Sequence, residues 1–145
     1  MTLPTLTLAI ACLFDTQGRV LLVRKRGTQT FMLPGGKAEP GESPRQTLAR
    51  ELEEELDVHL GDRDVEPLGR FEAPAANEPG HWVRAEAFLA PLSQAVQPLA
   101  ELEELYWLDT NEPAPAGIRL APLFERRVLP VLRKRLAARR DREGI

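Results

Sequence analysis

Between Gly36 and Val58 the chain gathers groups able to hold a cation next to a phosphate. Gly35 and Gly36 precede a helix-like run. Glu42 stands six residues past Gly36, Arg50 and Glu51 come eight and nine residues past Glu42, and Glu53, Glu54 and Glu55 follow Leu52. On an α-helix turning about 100° per residue, Glu51, Glu54 and Glu55 share an arc of roughly 100° beside the apolar stripe Leu48, Leu52, Leu56. Like charges three and four residues apart destabilise a helix by about 0.2–0.5 kcal/mol per pair. A bound divalent ion reverses that penalty, because hard cations such as magnesium take carboxylate oxygens, phosphate oxygens and water as ligands. Such an ion also neutralises phosphate charge and activates water. A glycine in front of the helix lets bare backbone approach the ion or the phosphate. The chemistry this set could serve is attack of water on a phosphoanhydride. Taken alone, the run Glu53 to Glu55 reads as a solvated helix face. The full spacing is far more specific, with a chance frequency on the order of one in 10^8 per starting position.

These residues need a helix behind a tight glycine loop, and the sequence supplies the signals. Ser43 is a helix N-cap, Pro44 suits the first helical position and Gln46 completes a capping box. Ahead of it, residues 5–14 place Leu6, Leu8, Ile10, Cys12 and Phe14 at every second position, the period of a strand. Asp15-Thr16-Gln17-Gly18 is turn chemistry. Residues 19–25 form a second strand, apolar on both faces as in a covered sheet. Phe31-Met32-Leu33 is stopped by Pro34-Gly35-Gly36. Residues 65–73, 82–90 and 104–108 read as further strands, and 111–117 as a Pro-rich loop. A last helix is expected over 120–140, kinked or split by Pro130. The basic tail from about residue 137 is open to disorder. The architecture that follows is α/β (α+β), a mixed β-sheet flanked by helices in one domain spanning 1–145.

The series Gly36, Glu42, Arg50-Glu51-Leu52, Glu54-Glu55, Val58 resembles the signature of the Nudix hydrolases, the family of the MutT-like enzymes. Eight of nine defining positions match over 23 residues. The exception is Asp57, where the family has glycine near the helix end; Asp is among the few other residues that tolerate a left-handed backbone. The resemblance implies an αβα sandwich and hydrolysis of a nucleoside diphosphate linked to another group. It implies magnesium, with manganese as an alternative, held by Glu51, Glu54, Glu55 and the Gly36 carbonyl. Arg50 would orient a neighbouring glutamate, with Glu42 and Gly35 in support. The base is either a helix glutamate such as Glu51 or one of Glu101, Glu103 and Glu104, which otherwise read as a solvated loop. Lys37, Arg24 and Arg26, with Lys25, flank the glycine loop and are candidates to meet a substrate phosphate.

By resemblance a nucleoside triphosphate is the leading substrate, as for short MutT-like pyrophosphohydrolases. ADP-ribose or another nucleoside-diphosphate sugar is the alternative, favoured by Pro74 sixteen residues past Val58. A nucleotide-binding module without activity is the third reading, and a homodimer is plausible for the family. Composition fits an ordinary globular chain: 145 residues, 43% hydrophobic, 28% charged, net charge −3. That balance argues against a nucleic-acid partner. No apolar run is long enough to span a membrane. A single cysteine, Cys12, excludes an internal disulfide and agrees with a cytoplasmic location. Cys12 reads as a buried thiol, His59 and His81 as surface or partly packed residues, Trp82 and Phe88 as packing groups, and the basic residues Arg133 to Arg135 with Arg139-Arg140 as a solvated helix face.

Overall fold

The computed structural model describes residues 4–75 and 78–143. Strand β1 (Thr5–Phe14) turns through Asp15 and Gly18 into β2 (Arg19–Lys25). The Asp15 side chain closes that turn by accepting from the backbone N–H groups of Gln17 and Arg19, both at 2.9 Å. The two strands pair only at Phe14 and Val20 and then part. The chain uses the gap. After the short β3 (Thr30–Phe31), Met32 pairs with Val23 of β2, and β4 (Gly35–Lys37) pairs antiparallel with Leu8 to Ile10 of β1. This splaying brings the double glycine into the middle of the sheet.

Helix α1 (Pro44–Leu56) follows, then β5 (Glu66–Pro74), β6 (Trp82–Pro91) and β7 (Leu102–Asp109). The sheet runs β5-β6-β1-β2-β7, with β1 and β6 parallel and the other neighbours antiparallel. A small parallel pair joins β3 to β8 (Arg119–Leu120). The chain closes with a π-helical segment (Leu123–Val128) that runs into α2 (Leu129–Glu143).

Each face of the sheet buries its own core. Ala9, Ala11, Leu13, Leu21 and Val23 pack with Leu48, Leu52 and Leu56 of α1. Ile10, Cys12, Val20 and Leu22 pack on the other face with Phe124, Val128 and Leu132. The mixed sheet with helices on both sides is the expected αβα arrangement. Strand β1 differs from the expectation in one respect. Of its alternate positions Ala9, Ala11 and Leu13 are also buried, while Thr5 and Thr7 are exposed, so period two in hydrophobicity marked one covered face of two.

Several boundaries move. The strand expected at 104 begins at Leu102, extending the β2–β7 ladder past Glu103 and Glu104. The terminal helix is not one element from 120. Leu120 belongs to β8, and the division falls where a π-turn meets the α-helix just before Pro130, whose missing N–H cannot continue an α ladder. The tail from about 137, expected to be open to disorder, continues α2 to Glu143. Leu136 is buried in the core there, and Arg139 lies over Phe14 at 5.0 Å while donating to Glu66, so this turn is anchored.

Candidate active site

Helix α1 is fixed at both ends. Ser43 Oγ accepts from the Gln46 N–H, and the Ser43 N–H donates to Gln46 Oε1 at 2.8 Å, the reciprocal capping box. At the far end Asp57 takes the left-handed conformation, with φ 53°. The N–H groups of Asp57 and Val58 then close on the carbonyls of Glu53 and Leu52. The helix buries Leu48, Leu52 and Leu56 and carries its glutamates along the edge of that stripe.

The three glutamates meet different surroundings. Glu55 is almost fully buried, 2% exposed, and its Oε1 accepts from the Gly35 N–H at 3.1 Å. Burial pushes its carboxyl up to about 8; the Gly35 bond opposes this, and the charges of Glu51 and Glu101 add to it. Glu51 is partly buried, and burial raises its carboxyl too, against the pull of Arg50. Glu54 is exposed, with Oε1 3.8 Å from Arg50 Nη1.

Arg50 organises the rest. Its Nη1 donates to Glu51 Oε1 at 2.9 Å, and Nε and Nη2 form a bidentate pair with Glu42 at 2.8 and 3.0 Å. Nη2 also donates to the Lys37 carbonyl at 3.0 Å, which ties β4 to the helix. Glu42 accepts further from the Glu39 N–H and the Thr47 hydroxyl. The guanidinium and the Glu39 N–H hold the Glu42 carboxyl down at about 2.

Both glycines leave space that other groups fill, backbone at Gly35 and a side-chain carboxyl at Gly36. A Cβ on Gly35, whose φ is 139°, would overlap the backbone of Ala9 and Ile10. A Cβ on Gly36 would overlap the carboxyl group of Glu51. The acidic group of the helix therefore rests directly over bare backbone.

Beside these groups lies a cleft of about 470 Å³. One wall is apolar, built by Leu6, Leu8, Ile10, Met32, Leu33 and Val83; the other carries Lys25, Arg26, Lys37, Glu51, Glu78 and Glu101 around Gly35 and Gly36. A second hollow, of about 340 Å³, lies at the other end of β1 around Phe14. Its one carboxylate, Asp15, is already held by Arg19 at 2.7 Å, so the chemistry gathers at the glycine cleft.

Of the candidates beyond the helix, the fold brings some to the cleft and withholds others. Glu101 lines it, 3.4 Å from Lys25 Nζ. Glu103 and Glu104 sit in β7 and pair with Arg26 and Arg24 at 3.5 and 3.0 Å; neither lines the cleft. Arg24 is likewise turned to structural use, donating to the Thr28 carbonyl at 2.7 Å, whereas Arg26 and Lys37 line the cleft. Among the described residues no three acidic, histidine or cysteine groups converge closely enough to hold an ion in this arrangement. Arg50 draws Glu51 and Glu42 to itself, and Glu54 stands in solvent. The donor chemistry nevertheless fits a hard cation: oxygen ligands only, two of the carboxylates raised by burial, and a bare backbone where a side chain would intrude.

Sequence reading missed two features. The apolar wall reads in sequence as core, because Leu6 and Leu8 belong to the alternating run of β1. Glu78 lies in a Pro- and Gly-rich connection without periodicity, and only the fold carries it to the cleft. Of the other singled-out residues, Cys12 and Phe88 are buried as expected, Trp82 is only half-buried, His81 is half-buried, and His59 is exposed with Nε2 3.1 Å from Asp57. The tail arginines are less free than a solvated face, since Arg133 donates to the Thr110 carbonyl and Arg139 to Glu66.

Comparison with known proteins agrees with this fold. The CTP pyrophosphohydrolase of Escherichia coli is 29% identical over 125 residues, covering 79% of this chain and 88% of that protein. The RNA pyrophosphohydrolase of Photorhabdus laumondii is 48% identical over 54 residues, 37% of this chain; the match spans only 30% of that relative's length. Among solved structures, the Nudix domain of Shewanella oneidensis NrtR complexed with ADP ribose superposes with a TM-score of 0.66 at 25% identity, covering 91% of this chain and 88% of that one. The family model described as the NUDIX domain matches residues 4–130, so the chain belongs to the Nudix hydrolase family.

Proposed function

We propose that this chain is a pyrophosphohydrolase that cuts a phosphoanhydride bond in a nucleoside diphosphate linked to a further group, with a nucleoside triphosphate as the leading substrate. The observation that carries the reading is the seat of the Glu51 carboxyl over Gly36, in space a Cβ would fill, next to the buried carboxyl of Glu55. Glu51, Glu54 and Glu55, with the Gly36 carbonyl, are the residues that would hold magnesium or manganese. Exposed Glu54 has the freedom to turn toward such an ion. When bound, the metal neutralises phosphate charge and lowers the pKa of a water.

The chain's own groups supply the remaining work. Arg50 fixes the orientation of Glu51 by a charge-assisted bond and is itself locked by Glu42. The Gly35 N–H holds the Glu55 carboxyl in place. Lys25, Arg26 and Lys37 offer cations to the phosphates, and the aliphatic wall shields one side of the bond from water. Of the three carboxylates lining the cleft, Glu51, Glu78 and Glu101, the first and the last are the candidates to take the proton of the attacking water.

A nucleoside-diphosphate sugar is the second reading, favoured by the likeness to a Nudix domain that binds ADP ribose. The deciding experiment is a product assay with magnesium. The panel is nucleoside triphosphates, dinucleoside polyphosphates, ADP-ribose, sugar nucleotides and a 5′-triphosphorylated oligonucleotide. Release of pyrophosphate and a nucleoside monophosphate from a triphosphate is the expected outcome. Cleavage of ADP-ribose alone would transfer the reading to the sugar nucleotides. Binding without turnover of any member would make the chain a binding module.

A further inference from the structure

We propose that Glu78 competes with ligand phosphate for Lys37 and so sets how tightly the cleft holds polyanions. The inference rests on the reading of this cleft as a phosphoanhydride site. Lys37 closes β4 one residue past Gly36 and is placed by its pairing with Leu8. Glu78 arrives from the β5–β6 connection. Their charged groups meet at 3.3 Å, with the side chains 60% and 41% exposed. Both line the cleft that holds Gly36 and Glu51.

The cations of this cleft are all matched by carboxylates: Lys25 by Glu101, Arg26 by Glu103 and Lys37 by Glu78. The first two carboxylates belong to a fixed frame. The Arg26 N–H donates to the Glu101 carbonyl at 2.8 Å, and Glu103 lies within β7. Glu78 differs: among the described residues its backbone is held by the His81 N–H at 3.2 Å alone, and its carboxylate has no partner but Lys37. An exposed single ion pair contributes little to stability, so it is readily exchanged. A phosphate offers Lys37 more charge and more acceptor oxygens than a carboxylate does. Once phosphate takes Lys37, Glu78 remains beside it as an uncompensated negative charge. That repulsion acts on substrate and product alike and grows with the charge of the ligand.

The test uses inorganic pyrophosphate as the probe, titrated calorimetrically into the metal-free protein, together with KM for a nucleoside triphosphate in magnesium. Glu78→Gln should tighten pyrophosphate binding and lower KM by about three- to tenfold at low ionic strength, the size expected for removing one like charge from an exposed anion site. The gain should shrink at about 0.5 M salt, where screening is nearly complete over such distances. In a Lys37→Met background only the through-space repulsion by Glu78 is left, so the same substitution should give a clearly smaller gain than in the wild-type chain. Unchanged or weaker binding by Glu78→Gln, in a wild-type protein that does hydrolyse nucleotides, would overturn the inference and leave the activity standing. An equal gain in the wild-type and Lys37→Met backgrounds would overturn the competition for Lys37. A wild-type protein that neither binds pyrophosphate nor cleaves any nucleotide would remove both the inference and the reading beneath it.

Discussion

The site is decided by contacts of single atoms. Gly36 is the clearest case, because its missing Cβ is the space in which the Glu51 carboxyl rests. Gly36→Ala should therefore displace the Glu51 carboxyl with little cost to the fold and lower kcat/KM at least about tenfold, about 1.4 kcal/mol of transition-state stabilisation. Steady-state kinetics checks it, with the circular dichroism spectrum showing that the fold is retained. Glu42 yields a prediction with a definite sign. Its carboxyl is held at about 2 in the folded chain by Arg50 and the Glu39 N–H, below the ordinary carboxylate range. A depressed folded value means stability that is present above the ordinary value, 4.5, and lost as pH falls from there toward about 2. Glu42→Gln should thus lower Tm near neutral pH and lose less on acidification, as a series of melting curves from about pH 6 to 2 would record. At this scale the sequence was informative about residue types and silent about their environments. It placed Glu51, Glu54 and Glu55 on one arc; that Glu55 is buried and Glu54 exposed depends on packing against Gly35 and β1, which no local pattern encodes.

Helix α1 was the most legible element, because its start and stop signals are local. Ser43, Pro44 and Gln46 make the box they spell, and Asp57 adopts the left-handed backbone where glycine is usual in the family. Asp57→Gly should raise stability by about 0.5–1 kcal/mol, since glycine takes that conformation without the Cβ penalty. Ser43→Ala should lower it by about 1 kcal/mol. Chemical denaturation of the two variants measures both, and opposite signs are expected. Elements defined by distant partners were harder to read. Strand β7 starts at Leu102 because β2 offers a partner as far as Lys25, and β4 forms because β1 and β2 part after a single pair. The turn before β7 holds Ala100 at φ 53°. The Leu99 N–H bonds the Glu55 carbonyl there at 2.9 Å, which delivers Glu101 to the cleft. A left-handed alanine leaves no mark in sequence, so Glu101, Glu103 and Glu104 could not be told apart before the fold separated them.

Across the whole molecule, two cores clamp one sheet, and the cleft opens where that sheet is split by the glycine loop. Cys12 lies within the core on the α2 side, with no exposure, and burial raises its thiol above the ordinary range. A thiol reagent should therefore label the native protein only through global opening, and the labelling rate should rise with denaturant in step with unfolding. The αβα arrangement was readable because alternating strands and capped helices leave few ways to cover both faces. The cleft was not, since its walls come from β1, β2, β4, β6, helix α1 and the connections around β3, after β5 and before β7, far apart along the chain. The central claim is that the helix carboxylates work on a divalent ion and a phosphoanhydride. Glu55→Gln tests it most directly. The amide can still accept from the Gly35 N–H. It also removes a buried charge whose cost rises with pH, since the Glu55 carboxyl is raised to about 8 and so favours folding below the ordinary range and opposes it as pH climbs. In metal-free buffer near pH 8 the variant should melt at or above the wild-type temperature, yet show magnesium-dependent hydrolysis of the best panel substrate reduced by at least about 10³-fold. A stable variant that still turned over at the wild-type rate would contradict the account.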